Sequence, residues 1–175
     1  MAARQIPLAI GLAPLMALDS FVPGPSSANA AALVHLRGLL ASPAAPIYLW
    51  GASGSGKTHL LQGLTGAWQA QGGQAAWFDP STPMPWTLDD KASLVVLDDA
   101  QALDGGRQQA AFALFIDVAA AGVQWAAAGS VPPVDLPLRD DLRTRLAWGH
   151  VFALEPLPEA DARAGPQRSR PRAQE

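Results

Sequence analysis

The sequence predicts an α/β fold, a parallel sheet covered by helices on both faces. Three observations predict it. Short apolar runs at Ile47–Trp50, Leu94–Leu97 and Val123–Ala128 alternate with longer segments of helical periodicity, the pattern of buried strands joined by crossover helices. The first run leads directly into the glycine-rich stretch Gly51–Thr58. The second ends in the acid pair Asp98-Asp99, at the sheet edge where open α/β folds bind ligands.

Each element follows in order. Pro7, Pro14, Pro23 and Pro25 rule out one continuous helix in the first 25 residues. Ser26 or Ser27 can cap a helix reaching about Leu40, with Leu33, Leu36, Leu39 and Leu40 as its apolar stripe. Pro43 and Pro46 end it, and Ile47–Trp50 is the first strand. A helix from Lys57 to about Gln71 closes at Gly72-Gly73. Gln74–Phe78 is the second strand, followed by a proline-rich loop at 79–86, and Leu94–Leu97 is the third. Gly105–Ala121 is a helix expected to turn Phe112, Phe115 and Ile116 inward. Val123–Ala128 is the fourth strand, Leu138–Leu146 a short helix and Val151–Leu154 the fifth strand. Ala164–Glu175 carries arginines among Gly, Pro, Ser and Gln without apolar periodicity, the composition of a disordered tail.

Composition narrows the function classes. At 175 residues and 49% hydrophobic, the chain can bury a core of its own. There are no cysteines, which excludes disulfides, thiol catalysis and cysteine-type zinc sites. His35, His59 and His150 are scattered, without metal-ligand spacing. A formal charge of -3 gives no push toward DNA or an anionic membrane. No secretory leader or membrane-length apolar stretch is visible, so the expected location is the cytoplasm, with no membrane partner and no direct specific DNA binding.

The chemistry concentrates in two motifs. Gly51-Ala52-Ser53-Gly54-Ser55-Gly56-Lys57-Thr58 matches G-x-x-x-x-G-K-[ST] in full. Glycines let the backbone wrap tightly and aim successive N–H groups inward, and the helix that follows adds the positive end of its dipole. Lys57 is placed for the β- and γ-phosphates, the Thr58 hydroxyl for Mg²⁺, and His59 continues the cradle. A Gly/Ser-rich surface turn has a similar composition, but it need not follow an apolar strand and open a helix, as this stretch does. Asp98 then stands where a carboxylate holds Mg²⁺ through water, and Asp99 where one polarises an attacking water. Asp99 as a simple cap for the next segment is the alternative. The expected cofactors are ATP or ADP with Mg²⁺.

With these motifs placed, the sequence resembles the DnaA-related AAA+ family, most closely its short regulatory branch represented by Hda, from about Gln5 to Leu157. Asp19-Ser20-Phe21-Val22-Pro23-Gly24 with Ser27-Ala28-Asn29 is similar to the family's entry segment, which wraps the adenine and ribose; the resemblance puts Phe21, Val22 and Asn29 on the base side. Leu142-Arg143-Thr144-Arg145-Leu146-Ala147-Trp148-Gly149 resembles the segment whose arginine reaches a neighbouring subunit's γ-phosphate, a role that falls on Arg145. Ser130 takes the polar sensor position, while Val131 replaces an arginine of the relatives. Gln5-Ile6-Pro7-Leu8-Ala9-Ile10 resembles a sliding-clamp-binding peptide, with Gln5, Leu8 and Ile10 as its anchors; a flexible leader is the alternative.

The resemblance implies a three-layer AAA+ sandwich with a five-stranded parallel sheet in the order 5-1-4-3-2. It divides the chain into an extended leader at 1–18, a nucleotide-binding core at 19–157, and a lid remnant with a basic tail at 158–175. Relatives continue into a helical lid with a second sensor arginine, whereas here only Glu155–Arg163 resembles its opening. Weak nucleotide binding and poor hydrolysis by the chain itself are therefore expected. The implied function is regulation of replication initiation: binding adenine nucleotide and the sliding clamp, and stimulating hydrolysis of ATP held by a DnaA-type initiator, with self-association as a further expectation. A helicase-loader-type ATPase and a non-catalytic interaction module are the alternatives.

Overall fold

The computed structural model describes Leu18, Phe21 and residues 23–156. Nine regular elements follow one another: α1 (Ser27–Ala41), β1 (Ile47–Trp50), α2 (Lys57–Ala70), β2 (Ala75–Phe78), β3 (Leu94–Leu97), α3 (Gly105–Ala121), β4 (Gln124–Gly129), α4 (Asp140–Leu146) and β5 (His150–Ala153). Short 3₁₀ turns at Ala100–Ala102 and Pro133–Asp135 follow β3 and β4. Ser26 caps α1 by accepting a hydrogen bond from the Asn29 N–H, and Asp104 caps α3 by accepting from the Arg107 N–H. Gly122, in the left-handed conformation, ends α3.

The five strands form one parallel sheet in the order β2-β3-β4-β1-β5. This is the expected 5-1-4-3-2 order read from the other edge. Side-chain alternation divides each central strand between two layers. Ile47, Leu49, Leu94, Val96, Ala126 and Ala128 face α1 and α2, where they meet Leu36, Leu60 and Leu64. Tyr48, Val95, Leu97, Trp125 and Ala127 face α3 and α4, where they meet Leu114, Phe115, Leu142 and Leu146. β3 and β4 are buried along their whole length, which accounts for the near-continuous apolar runs in the sequence.

One helix face departs from the sequence expectation. The buried residues of α3 are Ala111, Leu114, Phe115 and Val118, the i, i+3, i+4, i+7 stripe of a helix against a sheet. Phe112 lies at the edge of that stripe, half-buried, and Ile116 points outward, 40% exposed. At about 100° per residue Leu114, Phe115 and Val118 cluster around the direction of Ala111, and Ile116 falls on the opposite side of the helix. His35 on α1 and His150 on β5, far apart in sequence, meet with ring centroids 4.5 Å apart and planes tilted by 57°, and Phe152 lies beside them.

Candidate nucleotide site at the carboxyl edge of the sheet

Parallel strands deliver their ends to one edge, and there β1, β3 and β4 place the P-loop, Asp99 and Ser130 around a cavity of about 310 Å³, with Asp98 buried behind Thr58. Its lining is Ser53, Gly54, Gly56, Lys57, Thr58, His59, Asp99, Gln101 and Ser130. The loop needs its glycines: Gly54 and Gly56 have φ of 82° and 95°, a region that side chains make costly. A Cβ on Gly56 would also collide with the Phe21 ring. Gly51 is closed in behind the loop, where a Cβ would meet the Leu154 carbonyl and Ser55. Ser55 is fully buried, and its N–H donates to the Ala52 carbonyl at 3.1 Å. Gly51 and Ser55 thus build the inner wall of the loop, and Ser53, Gly54, Gly56, Lys57 and Thr58 border the cavity.

Lys57 is 9% exposed, and its ammonium donates to the carbonyls of Gly51 (2.5 Å) and Ala52 (3.0 Å). Burial lowers its pKa, and the charges of Asp98 and Asp99 oppose that shift. Thr58 Oγ1 donates to Asp98 Oδ2 at 2.8 Å, which ties the first turn of α2 to the end of β3. Asp98 is 3% exposed and held from both sides, since its other carboxylate oxygen accepts the Asp99 N–H at 2.9 Å. Burial raises the Asp98 pKa; the Thr58 hydrogen bond opposes this, and the neighbouring Asp99 charge adds to it.

Asp99 is the one non-glycine residue with positive φ (52°) among those described. Its side chain makes no cap for the turn that follows, so the capping alternative does not hold, and the cap of α3 is Asp104. A strained backbone at a cavity wall is the usual company of function. Gln101, not anticipated from the sequence, connects this wall: its Oε1 accepts the Ser130 N–H at 3.1 Å, and its Nε2 lies 3.5 Å from Asp99 Oδ1. The Tyr48 hydroxyl donates to the Val131 carbonyl at 2.7 Å, which fixes the tip of β4 from below.

The entry segment contributes differently from the expectation. Phe21 is 4% exposed and packs edge-on to the His59 ring, centroids 5.6 Å apart, so it supports the loop from behind. Asn29 is completely buried, and both ends of its amide are engaged with the Glu155 backbone: Nδ2 donates to the carbonyl at 3.0 Å and Oδ1 accepts the N–H at 2.8 Å. An amide spent this way has little left for a base, so Asn29 is corrected to a clamp that fastens the exit of β5 beside α1. Val22 and the peptide residues Gln5, Leu8 and Ile10 lie outside the described residues.

Arg145 on α4 is not among the cavity residues. Its guanidinium stacks on the Trp148 ring, 3.9 Å from the centroid, and lies 5.9 Å from the Phe112 centroid. Trp148 is 59% exposed, so the cation is displayed on an outward-facing aromatic platform. Its neighbours on α4 are committed to local ion pairs, Arg143 with Asp140 and Arg139 with Asp141.

The glycine cradle, the buried ammonium and a carboxylate linked to a hydroxyl fit a polyphosphate and a divalent cation. The family model of the bacterial DnaA ATPase domain matches residues 12–75. Over those residues the chain is similar to the DnaA ATPase domain. Domain III of the Thermotoga maritima initiator DnaA is similar in fold at 24% identity, with a TM-score of 0.70, over 85% of this chain and 70% of that one. AMPPCP-bound DnaA from Aquifex aeolicus is similar at 24% identity with a TM-score of 0.70, over 81% of this chain. This DnaA-related chain spans 50% of that initiator's length. A Neisseria meningitidis protein known from its solution structure is 30% identical over 76% of this chain and 87% of its own, with a TM-score of 0.50. No helix among the described residues is long and apolar enough to cross a membrane.

Proposed function

We propose that this DnaA-related domain is an Hda-like regulator of replication initiation that binds Mg²⁺ and ATP or ADP at its P-loop and activates, in trans, hydrolysis of ATP held by an initiator. The observation that carries the nucleotide part is the 2.8 Å bond from Thr58 to Asp98 beside the buried Lys57 ammonium. It joins two motifs far apart in sequence into one cation-ready wall. The backbone N–H groups of Gly54, Gly56 and Lys57 and the α2 dipole face the phosphates. Lys57 would leave the loop carbonyls for phosphate oxygens, and Thr58 and Asp98 would hold the metal. Mg²⁺, when bound, neutralises charge on the phosphates. Asp99 is placed to orient a water at the same wall.

The trans role rests on Arg145. Its stacking on an exposed tryptophan, away from its own cavity, supports this reading: in a neighbour's site the guanidinium would neutralise charge on the transferring phosphoryl group. The neighbour is a DnaA-type initiator, or a second copy of this chain if it self-associates. Gln5, Leu8 and Ile10 dock on the sliding clamp in an extended peptide mode. ATP hydrolysis by an initiator, followed with DNA-loaded clamp and this chain, tests the reading. Stimulation should disappear in Arg145→Ala while clamp binding persists. Stimulation that survives the substitution removes the trans role. Hydrolysis by the chain alone at an unstimulated initiator's rate or faster, lost in Lys57→Ala, supports a loader-type ATPase instead.

A further inference from the structure

Two kinds of contact hold the arginines around α4. Arg139 and Arg143 are ion-paired with Asp141 and Asp140, and a carboxylate takes up the in-plane N–H groups of a guanidinium. Arg145 instead lies over the Trp148 ring, its guanidinium carbon 3.9 Å from the centroid, a separation short enough for flat stacking. Stacking engages the face of the guanidinium and leaves its in-plane N–H groups for another acceptor.

The ring beneath the cation is fixed to the core. Trp148 meets Phe115 edge-on with centroids 6.0 Å apart, and Phe115, 1% exposed, meets Trp125 edge-on at 5.1 Å. The backbone is set on both sides of the ring. The Trp148 N–H donates to the Arg145 carbonyl at 3.2 Å, and the His150 N–H donates to the Pro46 carbonyl at 2.8 Å. Between them Gly149 lies so close to the Pro46 backbone that a Cβ would not fit. The outer surface of Trp148 stays open, 59% exposed. A long arginine side chain loses conformational freedom when it is brought to one point, and a stack formed beforehand removes that cost from the encounter. Resting on the trans reading above, we infer that Trp148 is a positioning residue that holds Arg145 in one outward conformation for ATP bound by a neighbouring molecule.

Three variants separate positioning from bulk. Trp148→Leu keeps an apolar side chain and removes the π-face, Trp148→Phe restores a ring, and Arg145→Ala removes the cation. Hydrolysis of initiator-bound ATP is followed with DNA-loaded clamp while the concentration of each chain is varied, alongside thermal unfolding. This gives a maximal stimulated rate and the concentration needed for half of it. Trp148→Leu should lower the maximal rate about threefold to tenfold, the scale of one cation–π contact, and hold the half-saturating concentration within about twofold. Trp148→Phe should recover about half of the lost rate or more. Nuclear magnetic resonance of the free chain reads the contact itself: Arg145 side-chain protons over an indole ring are shifted upfield, and the shift should vanish in Trp148→Leu. If Arg145→Ala abolishes stimulation while Trp148→Leu keeps the full maximal rate, the inference falls and the trans reading stands. A loss confined to the half-saturating concentration, or Arg145 protons without the upfield shift in the unsubstituted chain, has the same consequence. Stimulation that survives Arg145→Ala, or that the unsubstituted chain never produces, overturns both.

Discussion

Thr58→Val isolates the bond on which the site is built. Valine has nearly the shape of threonine but no hydroxyl, so the change strips one donor from a carboxylate that is 3% exposed. A hydrogen bond to a charged, buried acceptor is worth about 1.5–3 kcal/mol; Thr58 itself is exposed, so water can partly replace it and about 1–2 kcal/mol is the expected loss. For a domain of this size that corresponds to a melting-temperature drop of about 2–8 °C. The loss also has a pH signature. The Asp98 carboxyl in the fold is held above its unfolded value of 3.8 by burial, against the opposing Thr58 bond. Removing that bond lifts it further. A carboxyl whose pKa is raised on folding leaves stability untouched below the unfolded value, and erodes it as pH rises from there through the folded value. The Thr58→Val deficit should therefore be smallest at and below the unfolded value of 3.8 and should grow as pH rises above it through the raised folded values. Urea denaturation of both proteins across that rise in pH measures it. A deficit under about 0.3 kcal/mol, or one of the same size at every pH, refutes the claim that Thr58 stabilises the Asp98 carboxylate.

Three further outcomes follow from the same contacts. Asn29→Ala removes both bonds to the Glu155 backbone and should lower unfolding free energy by about 1–3 kcal/mol, measured by urea denaturation; hydrogen exchange should quicken at Glu155. Arg145→Ala should leave stability within about 1 kcal/mol, because its platform is exposed, whereas Leu142→Ala on the buried side of α4 should cost about 2–5 kcal/mol; thermal unfolding compares them. The pKa of His35 is lowered from 6.5 by burial and then by His150. Its neutral form supports the fold fully above about pH 6.5, and this support is lost as pH falls through the lower folded value. His35→Phe should flatten that part of a stability–pH curve.

The sheet was legible because β1, β3 and β4 are apolar enough to be buried on both faces, and because the P-loop and the acid pair mark two strand ends without needing tertiary information. Strand order came from resemblance; apolar runs alone say nothing of which neighbours pair. The inward face of α3 was misread at Ile116 because a helix rich in alanine leaves several apolar residues to choose among, and only packing selects Ala111, Leu114, Phe115 and Val118. Gln101 carries no local signal: the backbone N–H that orients its amide belongs to Ser130, on another loop. Asn29 was placed by its motif on the base side, yet its amide is taken by Glu155, far along the chain. The pairing of His35 with His150 was invisible for the same reason, since β5 returns to α1 only in the folded sheet.

The most direct test of the account is ATP affinity measured with and without Mg²⁺ for the unsubstituted chain, Lys57→Ala and Asp98→Asn. The account predicts that Mg²⁺ tightens binding in the unsubstituted chain, that Asp98→Asn loses most of this gain, and that Lys57→Ala loses binding with or without the metal. ATP binding that ignores both substitutions, or Mg²⁺ enhancement fully kept in Asp98→Asn, would contradict it.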